Sequence, residues 1–213
     1  MRYIQKFSEP DILKNKKNEW TKNFIESQKN RPDSSKYGHN EIKNKLLTIS
    51  HNKCFYCESL LKGSTKEIDH FIEVAEDKTL AYEWENLYLS CDNCNDKIPN
   101  KDIPVKDVLD PCKDYDDEIR KHISFEDEQI TYYSDKGEKT VKKFKLSSEK
   151  LDLLRSRELS NFKKILLALK DKQIKESRKG LTEDEKNILK RFSKSDHSYS
   201  MMFSEQLSKH NII

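Results

Sequence analysis

No stretch of this sequence approaches the ~18 consecutive apolar residues of a membrane span. The opening residues, MRYIQKFSEP, lack the apolar run of a secretory signal. Both absences speak against a membrane or exported protein and point to the cytoplasm. Apolar residues are scarce throughout: hydrophobic types make up 34% of the 213 residues, against ~45–50% in an average soluble domain. The core is therefore modest, and some of its burial is expected to be completed against a partner. An excess of one sign of charge is missing too. Charged residues reach 37%, yet 41 basic and 38 acidic side chains leave a net charge of only +3. That excludes a nucleic-acid clamp built on overall charge, so any nucleic-acid footprint must be local. Lysine runs such as KNKKNEW, KTVKKFK and SNFKKILLALKDKQIK read first as solvated helix faces. No repeat of fixed period is present.

What the chain does contain is a helical frame around a different middle. SEPDILKNKKNEWTKNFIESQ reads as an amphipathic helix capped by Ser8, with Ile12, Leu13, Trp20, Phe24 and Ile25 at helical spacing. NRPDSSKYG reads as a loop, and HNEIKNKLLTISH as a second helix with Ile42, Leu46 and Ile49 on one face. After residue 112, HISFEDEQITYYSDKGEK predicts a hairpin. Beyond it lies a long helix capped by Ser147 or Ser148, carrying an apolar stripe of Leu151, Leu154, Leu159, Phe162, Leu166 and Leu169. Gly180 breaks it, LTEDEKNILKRFSK starts another capped helix, and SYSMMFSEQLSKHNII ends the sequence as a short one. These segments predict an N-terminal helical part over residues 1–50, a central core over 51–112, and a hairpin plus helices over 113–213.

All five cysteines lie in the middle. Cys54/Cys57 and Cys91/Cys94 are two Cys-x-x-Cys knuckles, each turning two sulfurs toward one point, and together they supply the four thiolates of tetrahedral zinc. A redox pair or an iron–sulfur centre is the alternative, and nothing else in the sequence supports either. Such a zinc site is closed to water and substrate, so it is a scaffold; it would stabilise a region with few large apolar residues. Cys112, in LDPCKD, has no visible partner.

Between the knuckles, ESLLKGSTKEIDHFIEV reads as an extended piece, a Gly63-Ser64 turn and a strand; NLYLS is a second short strand, and DNCNDKIPN a helical piece ended by Pro99. Within the first strand stand Asp69 and His70, a carboxylate and an imidazole that are poor strand formers. Regular strand geometry would send them to opposite faces, so a bulge or a strand end is expected there.

The order Asp69-His70, Asn86-Leu87, Cys91-x-x-Cys94-Asn95 and a following Lys97 resembles the HNH endonucleases of the ββα-metal, or His-Me finger, superfamily. The resemblance implies an α+β, predominantly helical protein whose zinc-stapled ββα core is flanked by helices. It implies that His70 is the general base, and that Asp69 and Asn95 hold a catalytic Mg²⁺ or Mn²⁺. Many relatives have His where this chain has Asn95, so tolerance for nickel or zinc there should drop. Asn86 is expected among the catalytic groups, orienting His70 or securing its loop, and Lys97 is expected to contact a substrate phosphate. Glu67 and Glu73 are exposed strand positions or spare metal contacts.

The wider layout is similar to the HNH subunit of Septu-type anti-phage systems and of retron systems carrying the same pair of proteins. That similarity implies an ABC-type ATPase partner (PtuA-like), docked by the flanking helices. In a retron setting it adds retron RNA and its reverse-transcribed DNA. The implied activity is internal cleavage of nucleic acid, DNA foremost. A ribonuclease, for example one cutting tRNA, can use the same site. A zinc-stapled binding module without catalysis is the rival.

Overall fold

A computed structural model of the chain describes residues 1–61 and 66–213. The expected Gly63-Ser64 turn lies outside the described residues. Helices dominate, with four short strands among the described residues, and the architecture is α+β. No helix of the described residues is long and apolar enough to cross a membrane.

Helix α1 (Asp11–Glu26) buries Leu13 and Phe24, and its Trp20 meets the Tyr82 ring edge-on at 5.6 Å. Ser8 does not cap it. Pro10 occupies the cap position, and its carbonyl accepts the N–H groups of Leu13 and Lys14 at 3.0 and 3.1 Å. Proline has no N–H to lose there and its fixed φ suits a helix start. The Ser8 hydroxyl instead accepts from Lys45. NRPDSSKYG is not all loop: Asp33 accepts the Ser35 N–H and starts a one-turn helix, α2 (Ser34–Tyr37). Helix α3 (Asn40–Ile49) buries Ile42 and Leu46 and delivers the chain to the first knuckle.

Strands β1 (Glu67–His70) and β2 (Leu87–Ser90) pair antiparallel, Asp69 opposite Tyr88 and His70 opposite Leu87. Two 3₁₀ turns, Lys78–Tyr82 and Trp84–Asn86, connect them. A short helix, α4 (Asp92–Asn95), follows β2 and carries the second knuckle. This middle is richer in large side chains than the composition suggested: Phe55, Tyr56, Phe71, Tyr82, Trp84 and Tyr88 are all buried. Phe71 stacks on Tyr88 at 4.8 Å, and Tyr56 on Phe144 at 4.1 Å.

Helix α5 (Asp116–His122) leads into the hairpin β3 (Ile123–Glu126) and β4 (Gln129–Tyr132). The stretch after it, part of the lysine run KTVKKFK, forms α6 (Asp135–Lys143), capped by the Ser134 hydroxyl. Ser148 caps the long α7 (Glu149–Lys175), which buries Leu151, Leu159, Phe162 and Leu166, with Arg155 buried in the same stripe. The Thr182–Glu185 capping box opens α8 (Glu183–Lys190), and α9 (Ser200–Lys209) ends the fold.

Two hydrophobic clusters result. The first runs from Met1 through α1, α3 and both knuckles to Leu151 and takes in Met201 of α9. The second joins Leu159, Phe162 and Leu166 to Leu189, Phe192, Met202 and Phe203. Helix α9 thus contributes to both.

Glu58 pins α9 to the first knuckle. Its buried carboxylate accepts from the Ser200 hydroxyl at 2.6 Å and the Met201 N–H at 3.3 Å, with Lys53 and the Met1 ammonium at 3.3 and 3.5 Å. Burial alone would raise its pKa. The Met1 ammonium, Lys53 and the Ser200 hydroxyl outweigh burial and hold it at about 2, below its ordinary 4.5. A depressed carboxylate pKa contributes stability above the unfolded value and loses it as pH falls through the folded one. Glu58→Gln is therefore expected to lower the thermal midpoint most near neutral pH. The gap to wild type should narrow as pH drops from 4.5 toward 2. A gap independent of pH would contradict this.

Candidate active site

The knuckles bring their four sulfurs together. Cys54, Cys57, Cys91 and Cys94 are all buried, with ligand atoms within 4.8 Å of one another, and Cys57 Sγ lies 3.7 Å from Cys91 Sγ. A tetrahedron with Zn–S bonds of ~2.3 Å has edges of about 3.8 Å, so the cluster fits a zinc ion with slight contraction. Four buried thiolates without a cation would repel one another, which is a physical reason for a metal here. The Ser59 hydroxyl sits 2.9 Å from Cys57 Sγ, and Asn93 donates weakly to Cys94 Sγ and more firmly to the Lys145 carbonyl at 3.2 Å. Asn93 also accepts from the Ser148 hydroxyl, so the cap of α7 is hooked to the second knuckle.

Strand β1 stops at His70 in regular register, without a bulge. Asp69 is buried and His70 half-buried, yet both line one open cleft of about 440 Å³, together with Asn95, Arg31 and Tyr37. The strand end reconciles neighbouring residues with a shared space.

His70 is held in a defined state. Its Nε2 lies 2.8 Å from the Ala81 carbonyl. A carbonyl only accepts, so Nε2 carries the proton and Nδ1 keeps the lone pair. Burial lowers the imidazole pKa, against smaller opposing effects of the Ala81 carbonyl and Asp69, and so favours the neutral form. The Tyr37 ring packs edge-on against it at 4.9 Å.

Among the described residues, Asn86 makes no hydrogen bond to the imidazole. Its amide accepts the Ile72 N–H at 2.7 Å and donates to the carbonyls of Ile72 and Leu80 at 2.9 and 3.2 Å. It ties the turn after β1 to the turn bearing Ala81, whose carbonyl fixes His70. Asn86, expected among the catalytic groups, is by this geometry a positioning residue.

Lys97 also corrects an expectation. Its side chain, 6% exposed, turns inward rather than toward a phosphate. The ammonium lies 2.9 Å from both Asp69 oxygens and also donates to the carbonyls of His70 and Phe71. Burying Asp69 requires such a partner. Tyr56, from inside the first knuckle, donates to the same carboxylate at 2.6 Å. Asn95 is exposed, its Oδ1 accepting, among the described residues, only a long 3.4 Å bond from Ser90. Glu67 is exposed, while Glu73 accepts the Asn100 N–H at 2.9 Å.

Lys143 was not visible as a structural residue in its lysine run. It is fully buried and donates to the carbonyls of Ile98 and Ile103 and to Asn100 Oδ1 at 2.9, 2.7 and 2.6 Å. Burial, then the charge of Lys97, pushes its pKa down to about 8. It braces the segment that follows α4. Cys112 is half-buried, its thiol pushed up to about 12 chiefly by burial, and stands apart from the four-sulfur cluster.

Tyr37 and Arg31 were missed by sequence reasoning. They reach the cleft from more than thirty positions upstream of His70, and no local spacing announces them. Tyr56 had a signal: a buried tyrosine needs a hydrogen-bond partner, and this one sits between two metal ligands.

Comparison with known proteins agrees with this geometry. The HNH endonuclease family profile matches residues 54–101. A protein named Septu protein PtuB from Bacillus thuringiensis is 31% identical over 116 residues, covering 54% of this chain and 43% of the relative. Another of that name, from Bacillus mycoides, is 30% identical over 149 residues, covering 54% of this chain and 50% of the relative. The chain thus spans about half the length of these curated relatives. Residues 54–101, which hold both knuckles, both strands of the first sheet and the short helix α4 that follows them, match the HNH endonuclease family.

Proposed function

We propose that this chain is a metal-dependent endonuclease that cuts nucleic-acid phosphodiester bonds internally as the nuclease subunit of an anti-phage defence complex. The observation that carries the reading is the shared cleft of Asp69, His70 and Asn95, with His70 Nε2 pinned to a carbonyl and Nδ1 left as the base. From that position Nδ1 takes a proton from a water that attacks the scissile phosphorus. Burial disfavours the imidazolium so formed, so His70 returns to its neutral state readily. HNH resemblance assigns products with 5′-phosphate and 3′-hydroxyl ends.

The donors for a divalent cation are of the right kind. Lys97 and Tyr56 leave one Asp69 lone pair open, and the Asn95 amide oxygen is nearly free. Hard oxygen donors suit Mg²⁺ or Mn²⁺, which keep most of their waters. Bound there, the ion would stabilise charge on the phosphate and the leaving 3′ oxygen. Lys97 already holds a positive charge against the same carboxylate, so binding by the protein alone is weak. Lys97→Met is expected to cost about 3–5 kcal/mol by leaving Asp69 buried with one neutral donor. Mn²⁺ should then raise the variant's thermal midpoint more than the wild type's. An equal rise in both would remove Asp69 from the ligand set.

The name of the two relatives supports a Septu setting, with a PtuA-like ABC-type ATPase as partner and residues 113–213 among the docking surfaces. A retron setting, with its RNA and reverse-transcribed DNA, rests on resemblance alone. A cytoplasmic location follows from that role. The decisive experiment co-purifies the chain with the product of its neighbouring gene. It then presents plasmid DNA and total RNA with Mg²⁺ or Mn²⁺, or with no added divalent ion. Metal-dependent nicking or linearisation of DNA is expected; cutting confined to RNA makes the chain a ribonuclease. If neither nucleic acid is cut, the nuclease reading fails and a zinc-stapled binding module remains.

A further inference from the structure

The cleft that holds His70 does not end at the HNH domain. Arg31 and Pro32, from the segment between α1 and α2, line it. The same two residues line a second hollow of about 400 Å³, together with Lys29, Lys36, Ser34 and Asp33. The two hollows therefore adjoin, and cations run from the catalytic cleft into the second one.

These cations are free to meet an anion. Lys14, Lys17, Lys142 and Lys150 each meet a carboxylate, whereas Lys29, Arg31 and Lys36 form no ion pair among the described residues. Lys36 lies over the Trp20 ring at 5.8 Å, with its charge still available. The carboxylates along the path accept hydrogen bonds from other groups, and Asp33 meets Lys29 and Lys36 only through longer-range charge. Asp33 Oδ1 accepts the Ser35 N–H and hydroxyl at 2.9 and 2.7 Å, Glu73 accepts from Asn100, and Asp69 is bound by Lys97. The segment is also fixed at both ends. Lys78 donates to the Lys29 carbonyl at 2.9 Å, and the Asp33 N–H donates to the Tyr82 hydroxyl at 3.2 Å. Unpaired cations on an anchored segment, continuous with a site for phosphodiester chemistry, form a surface for a chain of phosphates.

We infer that Lys29, Arg31 and Lys36 bind the phosphate backbone of the substrate strand on one side of the bond held at His70. Arg31, whose planar fork matches two phosphate oxygens, grips the phosphate nearest the scissile one. The inference rests on the nuclease reading and deepens it: the N-terminal segment is a substrate track, and overall charge concealed it because the cations are local. Backbone contacts carry no sequence information, so the track serves strands of any sequence.

The test measures binding of fluorescein-labelled oligonucleotides, single-stranded and duplex, to the zinc-loaded full chain. His70→Ala is the reference, so that substrate survives. Adding Lys29→Ala, Arg31→Ala and Lys36→Ala together should weaken binding alike across sequences. It should also reduce the slope of log K against log salt by about 2–3, since each lost phosphate contact removes ~0.7–0.9. In the cleaving enzyme the same triple change should raise KM about tenfold or more with kcat unchanged. Lys186→Ala with Lys190→Ala, on α8, should leave both slope and KM at wild-type values. Zinc content and far-UV circular dichroism, unchanged by substitutions at these accessible positions, confirm folding. A triple variant with the reference slope and affinity overturns the track while the nuclease stands. Absence of any salt-dependent binding by the reference chain overturns the nuclease reading, and the track with it.

Discussion

Removing zinc from the four-cysteine site with a chelator is expected to unfold the HNH domain, with loss of the cooperative thermal transition and release of zinc. Cys94→Ser does the same without a chelator. The expected effect is the largest of any single change. Structural zinc binds with ~10–16 kcal/mol in small finger peptides, as much as the ~5–15 kcal/mol net stability of a whole domain. The clasp joins Cys57 to Cys91 across 34 positions, and without it nothing covalent closes that span. The aromatic packing of Phe55, Tyr56, Phe71 and Tyr88 softens the loss but is arranged by the same knuckles. The second cluster, Leu159 through Ile212, holds no knuckle residue and should retain part of its helical signal. The measurement is zinc stoichiometry alongside thermal unfolding by circular dichroism. A Cys94→Ser chain that binds no metal yet melts at the wild-type temperature would show the clasp to be dispensable.

His70→Ala is expected to abolish the proposed cleavage while leaving the fold and the four-cysteine site in place. A general base accounts for ~10²–10⁴-fold in rate. The substitution removes one half-buried ring, its bond to Ala81 and its edge contact with Tyr37, none of which belongs to the zinc site. The wild-type rate should rise with pH through the His70 pKa, which burial sets below 6.5, because only the neutral ring accepts a proton. Nucleic-acid binding should survive, so a filter or anisotropy assay separates loss of chemistry from loss of grip. A His70→Ala chain cutting at the wild-type rate with its four cysteines intact would leave the domain as a scaffold only.

What the sequence disclosed was whatever depends on near neighbours. Two residues between cysteines fix the knuckle geometry, and the Asp69-His70 pair announces itself by being costly in a strand. The Ser148 cap and the Thr182–Glu185 box are spelled within four positions. Concealed features depend on tertiary partners. Lys143 sits in a lysine run that looks solvated and Lys97 follows the second knuckle as if to meet a phosphate, and only the folded chain supplies the carbonyls of Ile98 and Ile103 and the Asp69 carboxylate that let them be buried. Asn86 looked catalytic because it keeps company with catalytic residues in the motif, whereas its hydrogen bonds brace a turn. The one-turn α2 was masked by residues that suit a loop as well as a cap. Ser8 failed as a cap because Pro10 already began the helix.

The two knuckles are fastened to opposite ends of the C-terminal helical excursion. Asn93 of the second knuckle holds Ser148 at the start of α7, and Glu58 beside the first holds Ser200 at the start of α9. At ~1.5 Å per residue, α7 extends about 40 Å from its anchorage. It is a long arm whose root is the metal staple, and its return limb is tied to the other half of that staple. A sideways push on the far tip, where Ile174 is exposed, becomes a torque at the four-cysteine cluster.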